Sequence, residues 1–572
     1  MNLNRRRAWL AFVSCAALAL TACASGGPGP AGPGPSAGGA PGPANFEPQH
    51  SGGTLLIDSK GAPGTLDPQI NYDPAGWQIA EAVYDGLLAY QKVGGPDSTK
   101  IVPDLATAMP TVTDGGNVYH FTLRPGIHFS NGQPVTVADV QTSFQRIFKA
   151  SGPTSGTFYQ NIAGATQCLA HPAGCGLSGV TVDPATNGIT ITLTRPDAEF
   201  AAKLALPHAA ILPASTPDTD QGINPVLGTG PYAIASFDPN SKLVLKRNPR
   251  FTEWSRTAQP RGYPDEIDYR YGLTVEAEVT EVENGQANWV NDPLPADRLN
   301  ELGTKYASQV HINPQAAFWY LPLNVNLPPF NNPQARQAVE WAVDRSAIVR
   351  LFGGSALGTP VCTILPPSYP EHVDYCAYTK GPPTTWSAPD LAKAQELVQQ
   401  SGTKGQPVAI VVQNDEVNLA IGGYLQSVLN QIGYQATLKP LSPGVQFPYI
   451  QNSNNKVQIS LTQWYEDYPA ASDFVNVLLS CNSYHPGTDS SINISGYCDK
   501  DYDAALDRAM ADQQTDPAKA RAEWGELDRR AMDTALIVPL FTPNYVDFVS
   551  ASVGNYQYSS SFSTIIDQMW VK

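Results

Sequence analysis

The sequence predicts a mixed α/β body arranged as layered lobes, and three observations lead there. Short segments of alternating apolar and polar residues interleave with stretches of helical periodicity. No internal repeat of fixed period occurs, and after residue 44 no apolar run is long enough to span a bilayer. With 572 residues, 42% of them hydrophobic, the chain can fill sizeable cores. At ~100–200 residues per domain, that length calls for several domains or lobes.

The elements follow in chain order. VYHFTLR at 118–124, GITITLT at 188–194 and SKLVLKR at 241–247 read as strands. Thr136 opens a helix over 136–148, and Asp139, three positions on, completes an approximate capping box. The segment 332–352 places Ala335, Ala338, Ala342, Ile348 and Phe352 near one stripe, predicting one helix. Further helices are predicted over 388–402, stopped by Gly402, and over 499–514. Most of the 51 prolines fall between these segments, where they stiffen loops.

The first 45 residues have a separate logic. Arg5, Arg6 and Arg7 precede the apolar run AWLAFVSCAALAL, too short to cross a ~30 Å hydrocarbon core comfortably. Leu20-Thr21-Ala22-Cys23 resembles a bacterial lipobox, so residues 1–22 are expected to be a signal peptide and Cys23 to carry lipid. Residues 24–44 are only Ala, Ser, Gly and Pro, a composition that cannot bury apolar surface. Residues 23–45 are therefore expected to be a tether, with a coil reach of roughly 25 Å.

Charge narrows the function. The chain carries 35 Lys+Arg against 51 Asp+Glu, net −16, and losing residues 1–22 leaves 32 against 51, net −19. With no basic block after the N-terminus, a nucleic-acid partner is not expected. Beyond Cys15 and Cys23 six cysteines remain, which allow 15 connectivities. Their positions form three close pairs, predicting Cys168–Cys175, Cys362–Cys376 and Cys481–Cys498, made outside the cytoplasm. No C-x-x-C occurs, and His171 and His485 lack finger-like spacing, so neither zinc nor another cofactor is expected.

Motifs for catalysis are missing. There is no G-x-S-x-G, H-E-x-x-H or G-x-x-x-x-G-K-[ST], and no G-x-G-x-x-G between a strand and a helix. A secreted hydrolase is the residual enzyme reading. One segment does suggest a ligand site: QISLTQWYEDYPAASDF at 458–474 runs from an alternating strand into a polar-aromatic turn. A carboxylate between Trp and Tyr suits a bound ammonium, by charge pairing and cation–π attraction. An exposed loop with core aromatics explains the same residues equally well.

Several blocks then occur in a familiar order. They are residues 101–148, containing Pro103-Asp104-Leu105-Ala106 and F-x-L-R-x-G-x-x-F-x-N-G-x-P-V-T-x-x-D-V, GTGPY at 228–232, LKRNPRF at 245–251, residues 321–345, and W-x-x-D-Y at 464–468. In these the chain resembles the extracellular solute-binding proteins of ABC importers, specifically the large oligopeptide/dipeptide-binding group, across nearly all of residues 52–550. The resemblance implies a two-lobed periplasmic-binding-protein-like α/β fold of the large type II cluster, with an extra subdomain and two hinge crossings. It places lobe I at 46–84, 205–315 and 540–572, the extra subdomain at 85–204, and lobe II at 316–539. The hinges would lie near Phe318-Trp319-Tyr320 and Val538-Pro539-Leu540.

The same resemblance implies site residues. Asp467 would pair with a peptide α-ammonium. Tyr72-Asp73-Pro74 and Gln463-Trp464-Tyr465 would hydrogen-bond the peptide main chain by strand addition. Trp464, Trp319 and Tyr320 would wall the pocket, with core packing as the competing role. The implied protein is a monomeric, lipid-anchored receptor outside the cytoplasm, capturing peptides and passing them to an ABC permease in the membrane. The alternative keeps the fold and exchanges the ligand for a metal complex, haem, oligosaccharide or other small solute. Ala470-Ala471 replaces the family's frequent Asp-Pro, Tyr465 stands where a cysteine is often found, and Thr142 replaces a ligand-contacting Tyr of some oligopeptide binders.

Overall fold

The computed structural model describes residues 46–488 and 491–572. The expected signal peptide and lipidated Cys23, and all but the end of the tether, lie outside the described residues. Ten strands form the largest sheet. At its centre Thr54–Ser59 pairs in parallel with Glu266–Tyr271 on one side and with Trp289–Val290 on the other. The antiparallel strands Lys242–Arg247 and Tyr232–Asp238 extend it beyond Glu266–Tyr271.

A 13-residue strand, Ile537–Val549, carries this sheet from one core to another. Its C-terminal half pairs with Trp289–Val290 and Val310–Pro314, and its N-terminal half with Ala317–Pro322. Pro539 and Pro543 lack the N–H that a regular ladder needs, and the register shifts where Trp319 and Tyr320 meet Phe541 and Pro539. Leu540 and Phe541 pack with Leu321 and Val408, whereas Val546 and Phe548 pack with Val279 and Leu302. The change of core thus falls between Phe541 and Val546.

Among the described residues five smaller sheets accompany it, three of them two-stranded. A parallel sheet in the order Gln435–Leu441, Pro407–Gln413, Ile459–Ser460 is covered by helix Glu416–Ile432. An antiparallel sheet in the order Thr111–Thr113, Val118–Thr122, Gly188–Thr192, Val180–Asp183 belongs with helix Val137–Lys149 to a core drawn mainly from residues 87–211. That helix starts as expected, with the Thr136 N–H donating to the Asp139 carboxylate at 2.8 Å. The single helix expected over 332–352 is two, Pro333–Ala342 and Arg345–Phe352. The first closes with Val343 in extended conformation, and Asp344 caps the second by accepting from the Ala347 N–H at 3.1 Å. All three expected disulfides are present, Cys168–Cys175, Cys362–Cys376 and Cys481–Cys498. Among the described residues no helix is long and apolar enough to cross a membrane.

Candidate functional site

The strand Thr462–Tyr465 ends the order of the ten-stranded sheet, paired on one side with Ala317–Tyr320. Beyond it the Glu466 N–H donates to the Ala316 carbonyl at 2.9 Å, and the chain then leaves the sheet. The Asp467 N–H donates to Asp473 Oδ2 at 2.7 Å, across a tight turn that leads into helix Ser472–Leu479. Asp473 lies in the first turn of that helix, where a carboxylate also meets the positive end of the helix dipole.

The alternation of this strand sorts the expected aromatics. Trp319 pairs with Gln463 and Ala317 with Tyr465, which puts these four on one face. Phe318, Trp464 and Tyr320 occupy the other and pack into the core around Phe474 and Trp524. Tyr320 is 1% exposed and stacks on Phe318, which makes it a core residue and not the expected pocket wall. Trp464 is half-buried against the same core. Trp319 is likewise buried, between Phe352 and Phe541. Tyr465, from the segment expected to bond a peptide main chain, has an open side chain, 47% exposed. Gln463 is half-buried beside it.

The loop 65–73 comes up against this turn from a distant part of the chain. Asn71 stiffens it from inside: its Nδ2 donates to the Thr65 carbonyl at 2.9 Å and to Asp73 Oδ2 at 2.7 Å. Asp73 also accepts from the Gly76 N–H at 2.7 Å and so caps helix Pro74–Val83, whose first residue is Pro74. Asp73 and Pro74 thus start a helix directly after Tyr72. Tyr72 is half exposed, with its ring set against Trp77 and His208. Its hydroxyl donates to Asp467 Oδ1. Two residues expected at the site from separate segments thus meet there.

Carboxyl groups crowd around the turn. Burial pushes the Asp467 carboxyl up to about 6, against the lowering effect of the Tyr72 hydroxyl. Glu466, which accepts from the Tyr369 hydroxyl, is pushed up to about 8, again mainly by burial. The buried Asp473 is raised as well, by burial and then by the charge of Asp467. Glu199 reaches the turn from the segment following the antiparallel sheet and accepts from the Tyr468 hydroxyl at 3.0 Å and from the Ser472 hydroxyl. Sequence reasoning missed Glu199, Tyr369 and Asp473. Asp473 lay inside the segment singled out, but nothing local shows that an aspartate at that distance folds back onto the Asp467 amide.

The comparisons with known proteins agree with this architecture. The family model for bacterial extracellular solute-binding proteins, family 5 Middle, matches residues 100–486, over half of the chain. The chain belongs to this family. Among family 5 relatives, the glutathione-binding protein GsiB of Salmonella typhi is 26% identical over 459 residues, covering 78% of this chain and 81% of its own. The probable deoxycholate-binding periplasmic protein YgiS of Escherichia coli is 26% identical over 509 residues, covering 86% and 89%. Of solved structures, clavulanic acid biosynthesis oligopeptide binding protein 2 superposes with a TM-score of 0.82 at 25% identity, over 91% of this chain and 96% of its own. The binding protein DppA from Helicobacter pylori, in complex with peptide STSA, gives 0.69 at 20% identity over 91% and 99%. The fold is therefore the two-lobed one of family 5. Family 5 proteins are extracytoplasmic solute-binding components of ABC importers, a family of transport proteins rather than of enzymes.

Proposed function

We propose that this protein captures peptides with a free α-amino group between its two lobes, with Asp467 as the ammonium anchor. The observation that carries this reading is the half-buried Asp467 carboxylate at the end of an edge strand, already engaged by one donor, the Tyr72 hydroxyl. A ligand ammonium offers more donors and a full charge, so it is a stronger partner for the same oxygen. The unpaired side of Thr462–Tyr465 supports main-chain pairing with an extended ligand, which gives affinity with little side-chain preference. Relatives named for glutathione and for deoxycholate keep non-peptide solutes as the second reading. The Asp467 carboxylate, ionised above about pH 6, speaks against an anionic solute such as a bile acid. We assign residues 316 to about 542 to the second lobe and 85–204 to the subdomain, with closure carried by the paired segments 310–322 and 537–549.

Native mass spectrometry of the protein purified without unfolding tests the ligand class. Released peptides are expected; a carboxylate solute lacking an amine would sink the peptide reading. The anchor also predicts a pH dependence. Asp467 must be ionised to hold an ammonium, so affinity for a free-amino peptide should rise about tenfold per pH unit up to about pH 6 and level off above it. Calorimetry between pH 4.5 and 7.5 checks this, and a flat profile would rule out Asp467 as the anchor. The membrane tether is equally open to test: Cys23→Ser should move the full-length protein from the detergent to the aqueous phase. Unchanged partitioning would refute lipid attachment.

A further inference from the structure

The turn that presents Asp467 is clamped from outside. Tyr468 and Ser472 stand just inside Asp467 and Asp473, and the latter two are joined by the bond from the Asp467 N–H to Asp473 Oδ2. Within the turn, the Ala470 N–H donates to the Tyr468 carbonyl at 2.8 Å and the Asp473 N–H to the Ala470 carbonyl at 3.0 Å. One carboxylate, that of Glu199, accepts the hydroxyls of both Tyr468 and Ser472, one on each oxygen. It thereby ties together the two ends of the turn whose mouth is Asp467.

The clamp is buried. Glu199 is 7% exposed, Tyr468 7% and Ser472 2%. The Tyr468 ring meets the edge of Phe158 at 5.7 Å, and Tyr468 and Ala470 both belong to the core drawn mainly from residues 87–211. On its own side, Glu199 is held in place by its neighbours. Its N–H donates to Asp197 Oδ1 at 3.1 Å, and Lys203 Nζ lies 2.9 Å from Asp197 and 4.0 Å from Glu199. Lys203 also lies 5.3 Å from the centre of the Tyr468 ring. The ion pair therefore fixes a rigid acceptor, and the acceptor fixes the turn.

We propose that Glu199 is a positioning residue for Asp467, so that the antiparallel-sheet subdomain holds the geometry of the ammonium anchor without touching ligand. This rests on the anchor role proposed above for Asp467. Glu199 has no direct bond to Asp467; it acts through Tyr468 and Ser472, and through the Asp467–Asp473 bond that their turn makes possible. A carboxylate buried against two hydroxyls from a segment more than 260 residues away is costly to leave unpaired, which makes the contact specific.

Hydrogen exchange of the full, ligand-free chain reads the clamp directly. Glu199→Ala is expected to speed exchange of the amides in 466–473 roughly tenfold, and Glu199→Gln, which keeps an acceptor, to restore most of the protection. Paired Tyr468→Phe and Ser472→Ala changes remove the donors instead and should reproduce the effect without altering the 197–203 segment. Binding gives the second readout, with trialanine and N-acetyl-trialanine as probes. Glu199→Ala should weaken trialanine about tenfold and the acetylated peptide much less, since only the first uses the anchor. Exchange that accelerates in 197–203 alone, or not at all, overturns the proposal. Equal losses for both probes also overturn it, because a merely structural role predicts them. Failure of the anchor reading looks different: Asp467→Ala would then leave trialanine binding intact while the exchange result stands.

Discussion

Asp467→Ala is expected to weaken binding of free-amino peptides by roughly 30- to 1000-fold, or about 2–4 kcal/mol, the usual cost of truncating one partner of a buried, hydrogen-bonded charge pair. The loss should be measured at pH 7.5, above the value of about 6 to which burial pushes this carboxyl, so that the wild-type anchor is ionised. Two features of the site make the effect large. The backbone that carries the carboxylate is held by the bond from the Asp467 N–H to Asp473 Oδ2, so little of its placement is decided at the moment of binding. It is also half-buried, so solvent screens the ion pair less than on an open surface. Asp467→Asn keeps the shape and removes the charge, and should lose nearly as much. N-acetylated peptides are the control, because they cannot form the pair in either protein. Titration calorimetry decides it: a loss under threefold, or equal losses for free and acetylated peptides, would remove Asp467 from the site.

Arg345→Met is the substitution with the largest expected effect on stability. Arg345 is 1% exposed; its Nη2 donates to Glu340 Oε2 at 2.6 Å, and its Nε lies 3.0 Å from the Val361 carbonyl and 2.7 Å from that of Pro539. It thus joins the two helices that break at Asp344 to the strand that passes between the cores. Burial pushes Glu340 up to about 7, and Arg345 opposes that rise. Without the arginine the folded-state pKa climbs further while the unfolded value stays near 4.5. Between the two values the unfolded chain has lost the proton and the folded chain keeps it, so stability falls as pH rises. The expected cost is about 3–5 kcal/mol at pH 8 and markedly less at pH 5. Urea unfolding at the two pH values measures it. A loss independent of pH would mean that Glu340 does not sense Arg345, and adding Glu340→Gln should recover much of the loss at pH 8.

Much of the local structure was legible in the sequence, because it depends on neighbours. The helix beginning at Val137 follows from Thr136 and Asp139, and the strands from alternation at 118–124, 188–194 and 241–247. The three disulfides followed from proximity in the chain, as short loops bring their cysteines together. Where local signals competed, the pattern misled. The stripe across 332–352 is continuous, yet the first helix stops at Ala342 and Asp344 caps the following one. Asp73-Pro74 carries a helix-start signature, and a helix begins there.

The sequence by itself determined that this chain is an α/β solute-binding protein of family 5, and it pointed to the segment 463–468 as the site. Those features are written in residue order and period, which survive without a structure. Only the tertiary structure decided which residues surround Asp467. Tyr72 reaches it from 395 residues away, and Glu199 reaches Ser472 from 273. It also removed Tyr320 from the pocket, because strand pairing sets which face of Ala317–Pro322 meets the core. The physical reason is the same in each case. A carboxyl's partners and its degree of burial are set by packing between distant segments, and those two quantities decide whether it holds a proton, a hydroxyl or a ligand's charge.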